Sequence, residues 1–170
     1  ANFAHYLIRP VEAEVLIDAL NEITGSSDLY TSAVPEPFTY IPNSMSAVEL
    51  ADGSVTSSFL TLFGRSARAT GMENERVNEL GSTQWLHMLN SAALQNKLRN
   101  GPKLKAIIYA RGEPDEIAER LYLTILSRFP TDDDVKAAEE HAKTGVAKGA
   151  DVWVDLAWAL INSPEFLLRH

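Results

Sequence analysis

Cysteine is missing from all 170 residues. Disulfides, thiolate metal sites, a covalently attached c-type haem and a cysteine nucleophile are therefore excluded within this chain. The compartment stays open, because a cysteine-free domain works on either side of a membrane. Long apolar runs are missing as well. The longest, such as residues 157–161, fall far short of the ~18 residues that a spanning helix needs. Clustered positive charge is also lacking: fifteen Lys and Arg are dispersed among twenty-three Asp and Glu, for a formal net charge of -8. Phosphate binding relies on clustered bases that release counterions, so this balance argues against a nucleic-acid surface. An anionic membrane is disfavoured on the same grounds.

The strong catalytic signatures do not occur either. There is no HExxH, Walker loop, GxGxxG, GxSxG or EF-hand run. Gly64-Arg65 and Gly71 are too isolated to cradle a phosphate, and Asn162-Ser163-Pro164 fails as a glycosylation acceptor. The sequence opens on Ala1-Asn2-Phe3 with neither a signal-peptide pattern nor an initiator methionine, an opening expected of a processed or internal boundary.

What is present is enough for an ordinary core, with 45% apolar residues. A chain of this length buries roughly 70% of its unfolded surface, and residues 1–170 are read as a single helical domain. The expected fold is all-α: an irregular multi-helix bundle with a long ordered extended segment near residues 26–56.

In the first helix Pro10 suits the opening turn. Val11, Val15, Leu16, Ala19, Leu20 and Ile23 then form one buried stripe, and Gly25 is the stop. Glu12, Glu14, Asp18 and Glu22 fall on the remaining faces and are expected in solvent. Residues 26–56 carry Pro35, Pro37 and Pro42 and lose periodicity, so they read as an extended wrap pinned by Tyr30, Phe38, Tyr40 and Ile41. That wrap leaves room for a short strand at 38–41. A short helix follows at 57–63, ended by Gly64. From Ser82 one apolar face is predicted through Trp85, Leu86, Leu89, Ala92, Ala93 and Leu98, up to Gly101-Pro102. A further short helix carries Leu104, Ile107 and Ile108.

The last third is patterned most clearly. Pro114 opens a helix with Ile117, Leu121, Tyr122, Ile125 and Leu126 in a stripe. Thr131 and Asp134 make a capping box for the next, which turns Val135 and Ala138 inward as far as Gly145. Trp153, Leu156, Ala157, Leu160 and Ile161 then mark a helix that Ser163-Pro164 breaks or restarts.

The polar run from Arg65 to Glu79 is the candidate functional segment. Arg65, Arg68 and Arg76 alternate with Glu73, Glu75 and Glu79, nearly without apolar side chains. It reads in three ways: a solvated loop, a buried ion-pair network that fixes the wrap to the bundle, or an acid–base pair beside an arginine. Glu73 and Glu75, two residues apart, point to opposite sides of an extended chain and do not converge as paired carboxylates must. The network is the reading adopted. His87 and Asn90 on the following helix join this candidate set. His5, His141 and His170 have no partner at metal-ligand spacing, so neither a metal nor a cofactor is expected in this chain. Trp85, Trp153 and Trp158 are expected in the core.

These residues resemble a known family. Leu62-Phe63-Gly64-Arg65, then Arg68, Thr70, Glu73, Glu75-Arg76 and Glu79, then residues 86–91, are similar to the planctomycete-type PSD1 domain of unknown function. Leu121-Tyr122-Leu123, Leu126-Ser127-Arg128, Pro130-Thr131, residues 156–163 and Glu165-Phe166 agree in order, as do Arg9 and residues 12–20 at the start. The resemblance implies the C-terminal portion of a large exported bacterial protein whose other parts can include a cytochrome c-like domain. Partners would be other domains of the same polypeptide or a separate protein. The family supplies no reaction. Many relatives carry cysteines where this chain has Met72 and Asn74. The leading expectation is a non-catalytic structural or partner-binding module. The alternatives are part of an enzyme acting on polysaccharide or another polymer through the 65–79 segment, and a docking surface for a haem domain.

Overall fold

The computed structural model describes residues 8–32, 34, 37–50, 55–65, 76 and 80–169. Helices dominate, and the fold is all-α. The strands among the described residues are four two-residue pieces in two antiparallel pairs. The chain divides into two compact units, one formed by residues 1–22, 26–89 and 168–170 and the other by residues 23–25 and 90–167.

The first unit is built around α1 (Ala13–Thr24), whose Ala13, Leu16, Ile17 and Leu20 are buried. Pro10 does not enter this helix. It lies in β1 (Arg9–Pro10), which pairs with β4 (Leu168–Arg169) near the other end of the chain. Val15, placed in the buried stripe from sequence, is 46% exposed, because at 3.6 residues per turn it falls opposite Ala13, Leu16 and Leu20. Gly25 ends the helix at φ 72°, in the left-handed region.

The 26–56 segment is held differently from the expectation. Phe38 and Tyr40 are among the most exposed apolar residues, and residues 38–41 form no strand. Of the four expected anchors only Tyr30 is buried. Strand β2 (Thr31–Ser32) pairs with β3 (Val55–Thr56), and Ala47, Leu50 and Val55 go into the core. A 3-10 turn at Ala47–Glu49 is fixed from α1: the Asp18 carboxylate accepts the Ala47 and Val48 N–H groups at 2.7 and 2.9 Å. Two otherwise orphan donors are satisfied by that carboxylate. Asp18 is therefore a tether and not the solvated side chain its position on the helix suggested. Helices α2 (Ser58–Leu62) and α3 (Ser82–Asn90) follow, with Leu60, Phe63 and Met88 buried. The Gln84 amide ties them, donating to the Leu62 carbonyl at 3.0 Å.

The second unit is a helical bundle of α4 (Ala92–Asn100), α5 (Pro102–Ile108), α6 (Pro114–Leu126), α7 (Asp132–Thr144), α8 (Ala150–Ile161) and the short α9 (Pro164–Leu167). The single apolar face predicted from Ser82 to Leu98 does not exist. Ser91 breaks the helix and caps α4, accepting the Leu94 N–H at 3.3 Å. Leu86, Leu89, Ala92 and Ala93 are exposed, while Leu94 and Leu98 are buried. Helix α6 buries Ile117, Ala118, Leu121, Tyr122 and Ile125 against α8, which supplies Val152, Val154, Ala157, Leu160 and Ile161. All three tryptophans are half-buried, none reaching the interior proper.

The capping box of α7 forms as read. Thr131 N and Oγ1 both donate to Asp134 Oδ2 at 2.9 Å, and Asp134 N donates back to Thr131 Oγ1 at 3.3 Å. Arg128 joins it across the turn. Ser127 adopts a left-handed φ of 56°, and Arg128 then reaches Asp134 at 2.9 Å and grips Glu165 of α9 with two bonds at 2.8 and 3.0 Å. Its guanidinium also lies 5.1 Å from the centre of the Tyr122 ring. Yet α7 buries no residue fully: Val135 and Ala138, expected inward, are half-exposed.

Candidate functional site

Of the sequence-derived candidates, Arg65 and Arg76 come together, and they do so on a residue outside the polar run. Glu14, on the second position of α1, is 7% exposed, which corrects its reading as a solvated side chain. Arg76 Nη1 and Nη2 donate to its two carboxylate oxygens, both at 2.9 Å, a bidentate fork. Arg65 Nε approaches the same carboxylate at 3.2 Å, and Arg65 Nη2 donates to the Leu50 carbonyl at 2.8 Å. The chain of charges continues outward. Arg76 faces Glu12 at 3.8 Å, and Glu12 meets Arg169 of β4 at 3.3 Å. One network thus links α1, the wrap, the arginine run and the last strand.

Burial by itself pushes the Glu14 carboxyl up. The Arg76 hydrogen bonds, a bond from its own backbone and the charges of Arg76 and Arg65 outweigh that and leave it below its ordinary 4.5. Glu14 is therefore ionised in the fold, as a carboxylate between two guanidiniums must be. Arg68, Glu73, Glu75 and Glu79 lie outside the described residues.

His87 does not join this network. Its ring packs edge-on against Phe59 and Phe63, with centroids at 5.7 and 5.9 Å, and these two phenylalanines stack at 4.4 Å. Burial holds the imidazole below its ordinary 6.5 and so favours the neutral ring. Asn90 is exposed at the end of α3. Among the described residues no cluster of His, Asp and Glu converges as a metal-ligand set, and no helix is long and apolar enough to cross a membrane.

The second unit holds a feature that sequence reasoning missed. A half-open cavity of about 630 Å³ lies among α6, α7 and α8, floored by Ala118, Val135, Ala138, Ala142, Val152 and Trp153. A second cavity of about 420 Å³ lies beside it between α6 and α7, with Asp115 and Val135 lining both. Volumes of this order suit a ligand or an inserted side-chain row. The signal available in sequence was the thin apolar stripe of α7, which carries only Val135 and alanines where a core helix carries leucine. No family model, characterised protein or solved structure matches this chain.

Proposed function

We propose that this chain is a structural and partner-binding helical module, not a catalytic one. We place it with the planctomycete-type PSD1 domain as part of an exported bacterial protein that works outside the cytoplasm. The observation that carries the structural half is the bidentate Arg76–Glu14 pair with Arg65 on the same carboxylate. An arginine whose fork is spent on a buried internal carboxylate ties elements together, and a carboxylate held ionised between two guanidiniums is a poor proton donor. This favours the adopted reading of the 65–79 segment over an open acid–base site. Residues behind the family resemblance recur in such ties: Arg65 and Arg76 in the first unit, Arg128, Thr131 and Glu165 in the second. The partner-binding half is supported by the apolar furrow with its charged rim.

Thermal unfolding of Arg76→Ala tests the structural half. A lowered melting temperature is expected. An unchanged melt, with hydrolysis of a polysaccharide abolished by the same substitution, would replace this reading with the catalytic one.

A further inference from the structure

We propose that the furrow between α6 and α7 seats a basic amphipathic helix of a partner polypeptide. This rests on the partner-binding reading above and names the chemistry of the partner. The first observation is shape. The two cavities border on the same pair, Asp115 and Val135, and together their lining residues on α7 run from Asp132 to Lys143. At 1.5 Å per residue that stretch is ~16 Å, about three helical turns. It is longer than a compact small molecule needs, and it matches a short helix laid in a groove.

The second observation is the floor. Val135, Ala138 and Ala142 recur at helical spacing along one face of α7, and none of them is fully buried. A helix normally sinks such a stripe against its neighbours. Ala118 and Val152, buried between α6 and α8, form the bottom of the furrow, and the small side chains of α7 beside them leave room for the larger apolar residues of an incoming helix. Trp153 adds a broad surface at one end.

The third observation, charge, selects the partner. Glu113, Asp115 and Glu119 stand along the α6 side and Asp132 along the α7 side, where Glu139 pairs with Lys143. The two lysines on the rim already face acids: Lys143 lies 3.1 Å from Glu139, and Lys136 lies 3.4 Å from Asp133. Residues 113–155 carry eleven Asp and Glu against five Lys and Arg. An apolar floor with an acidic rim complements a helix with leucine-like residues on one face and Lys or Arg on the flanks.

The test uses the whole chain and two synthetic 14-residue helical peptides. One has leucines on one face and lysines and arginines on the other, and its twin has glutamates in place of the basic residues. Calorimetry should find the basic peptide bound at least roughly tenfold tighter than the acidic twin, with affinity falling as salt rises. Amide shifts should concentrate at residues 113–119, 135–143 and 152–153. Glu119→Lys, and separately Ala138→Phe, should each weaken binding at least roughly fivefold without lowering the melting temperature. Equal affinity for both peptides, no saturable binding, or shifts centred on another face would overturn the proposal. So would furrow shifts that depend only on protein concentration, since a second copy would then be the occupant. Failure here with Arg76→Ala melting early would sink the furrow and leave the structural reading standing.

Discussion

Glu14→Gln isolates what the buried carboxylate contributes, because it keeps the side-chain shape and removes only the charge. The Glu14 side chain is 9% exposed, that of Arg65 is 9% and that of Arg76 is 22%. Losing one partner of a fully buried pair costs about 3–5 kcal/mol. Arg76 keeps some water, so the expected loss is smaller, about 2–4 kcal/mol. For a chain of this size each kcal/mol shifts the melting temperature by about 2–4 °C, so the variant should melt about 5–15 °C lower. Calorimetry of the wild type, Glu14→Gln, Arg76→Ala and the double variant closes a cycle whose coupling should be about 1–3 kcal/mol. The pH dependence supplies the sign. Glu14's folded pKa lies below 4.5, so its contribution is complete above 4.5 and is lost as the pH falls through the lower folded value. The gap between wild type and Glu14→Gln should therefore be widest at neutral pH and narrow on acidification below about 4.5. A gap that is absent at pH 7, or that grows in acid, would refute the buried-network argument.

Four further outcomes are expected. Arg128→Lys should cost about 1 kcal/mol in urea unfolding, since one ammonium cannot hold Glu165 bidentately, reach Asp134 and lie against Tyr122 at once. The pKa of Asp134, now about 2 chiefly through the Thr131 backbone N–H, should stay well below the ordinary carboxylate range by NMR titration, and a return to that range would contradict this ordering. Gly101→Ala should destabilise by about 1–3 kcal/mol through crowding alone. Its φ of -60° suits any residue, but an added Cβ would press on the Thr24 carbonyl and lie 2.6 Å from the Lys97 carbonyl; a neutral result would mean that the close approach relaxes freely. His87→Phe should flatten the acid side of the stability curve. The imidazole is held below 6.5 in the fold, so the wild type loses stability as the pH falls from 6.5 towards the lower folded value, and the phenylalanine variant should not.

How much of this was legible in the sequence depends on the range of the interaction that decides each element. Helices α6 and α7 are set by local rules: Pro114 at a first turn, the Thr131–Asp134 box, and Gly145 at φ 71° after the last turn of α7. Each could be read directly. The helix from Ser82 could not be read as one element, because Ser91 acts as a cap only once the chain has turned there, and an apolar count continues straight through it. The wrap failed for the opposite reason. Aromatic side chains suggest anchors, but Phe38 is 82% exposed, and the fixing is done by Asp18, whose carboxylate reaches backbone N–H groups about thirty residues away.

The candidate network marks the same boundary more sharply. A run rich in Arg and Glu invites pairing within itself, and sequence spacing offers no other partner. The carboxylate that receives both described arginines is 62 positions from Arg76, on a helix whose charged residues all appeared to be facing water. Glu14 flanks the buried arc of α1, one position from Ala13 and three from Ile17. A carboxylate at the margin of an apolar stripe is tolerated in the interior only if a cation comes to it. That demand was readable, and it turns an unremarkable helix charge into a predicted socket. Which arginine fills it was not, because the choice is made by the path of the whole first unit. The furrow obeys a related rule. A helix face made of alanine and one valine cannot fill a core, so it either stays thin or waits for side chains from elsewhere, and the acidic rim beside it determines the charge those side chains should carry.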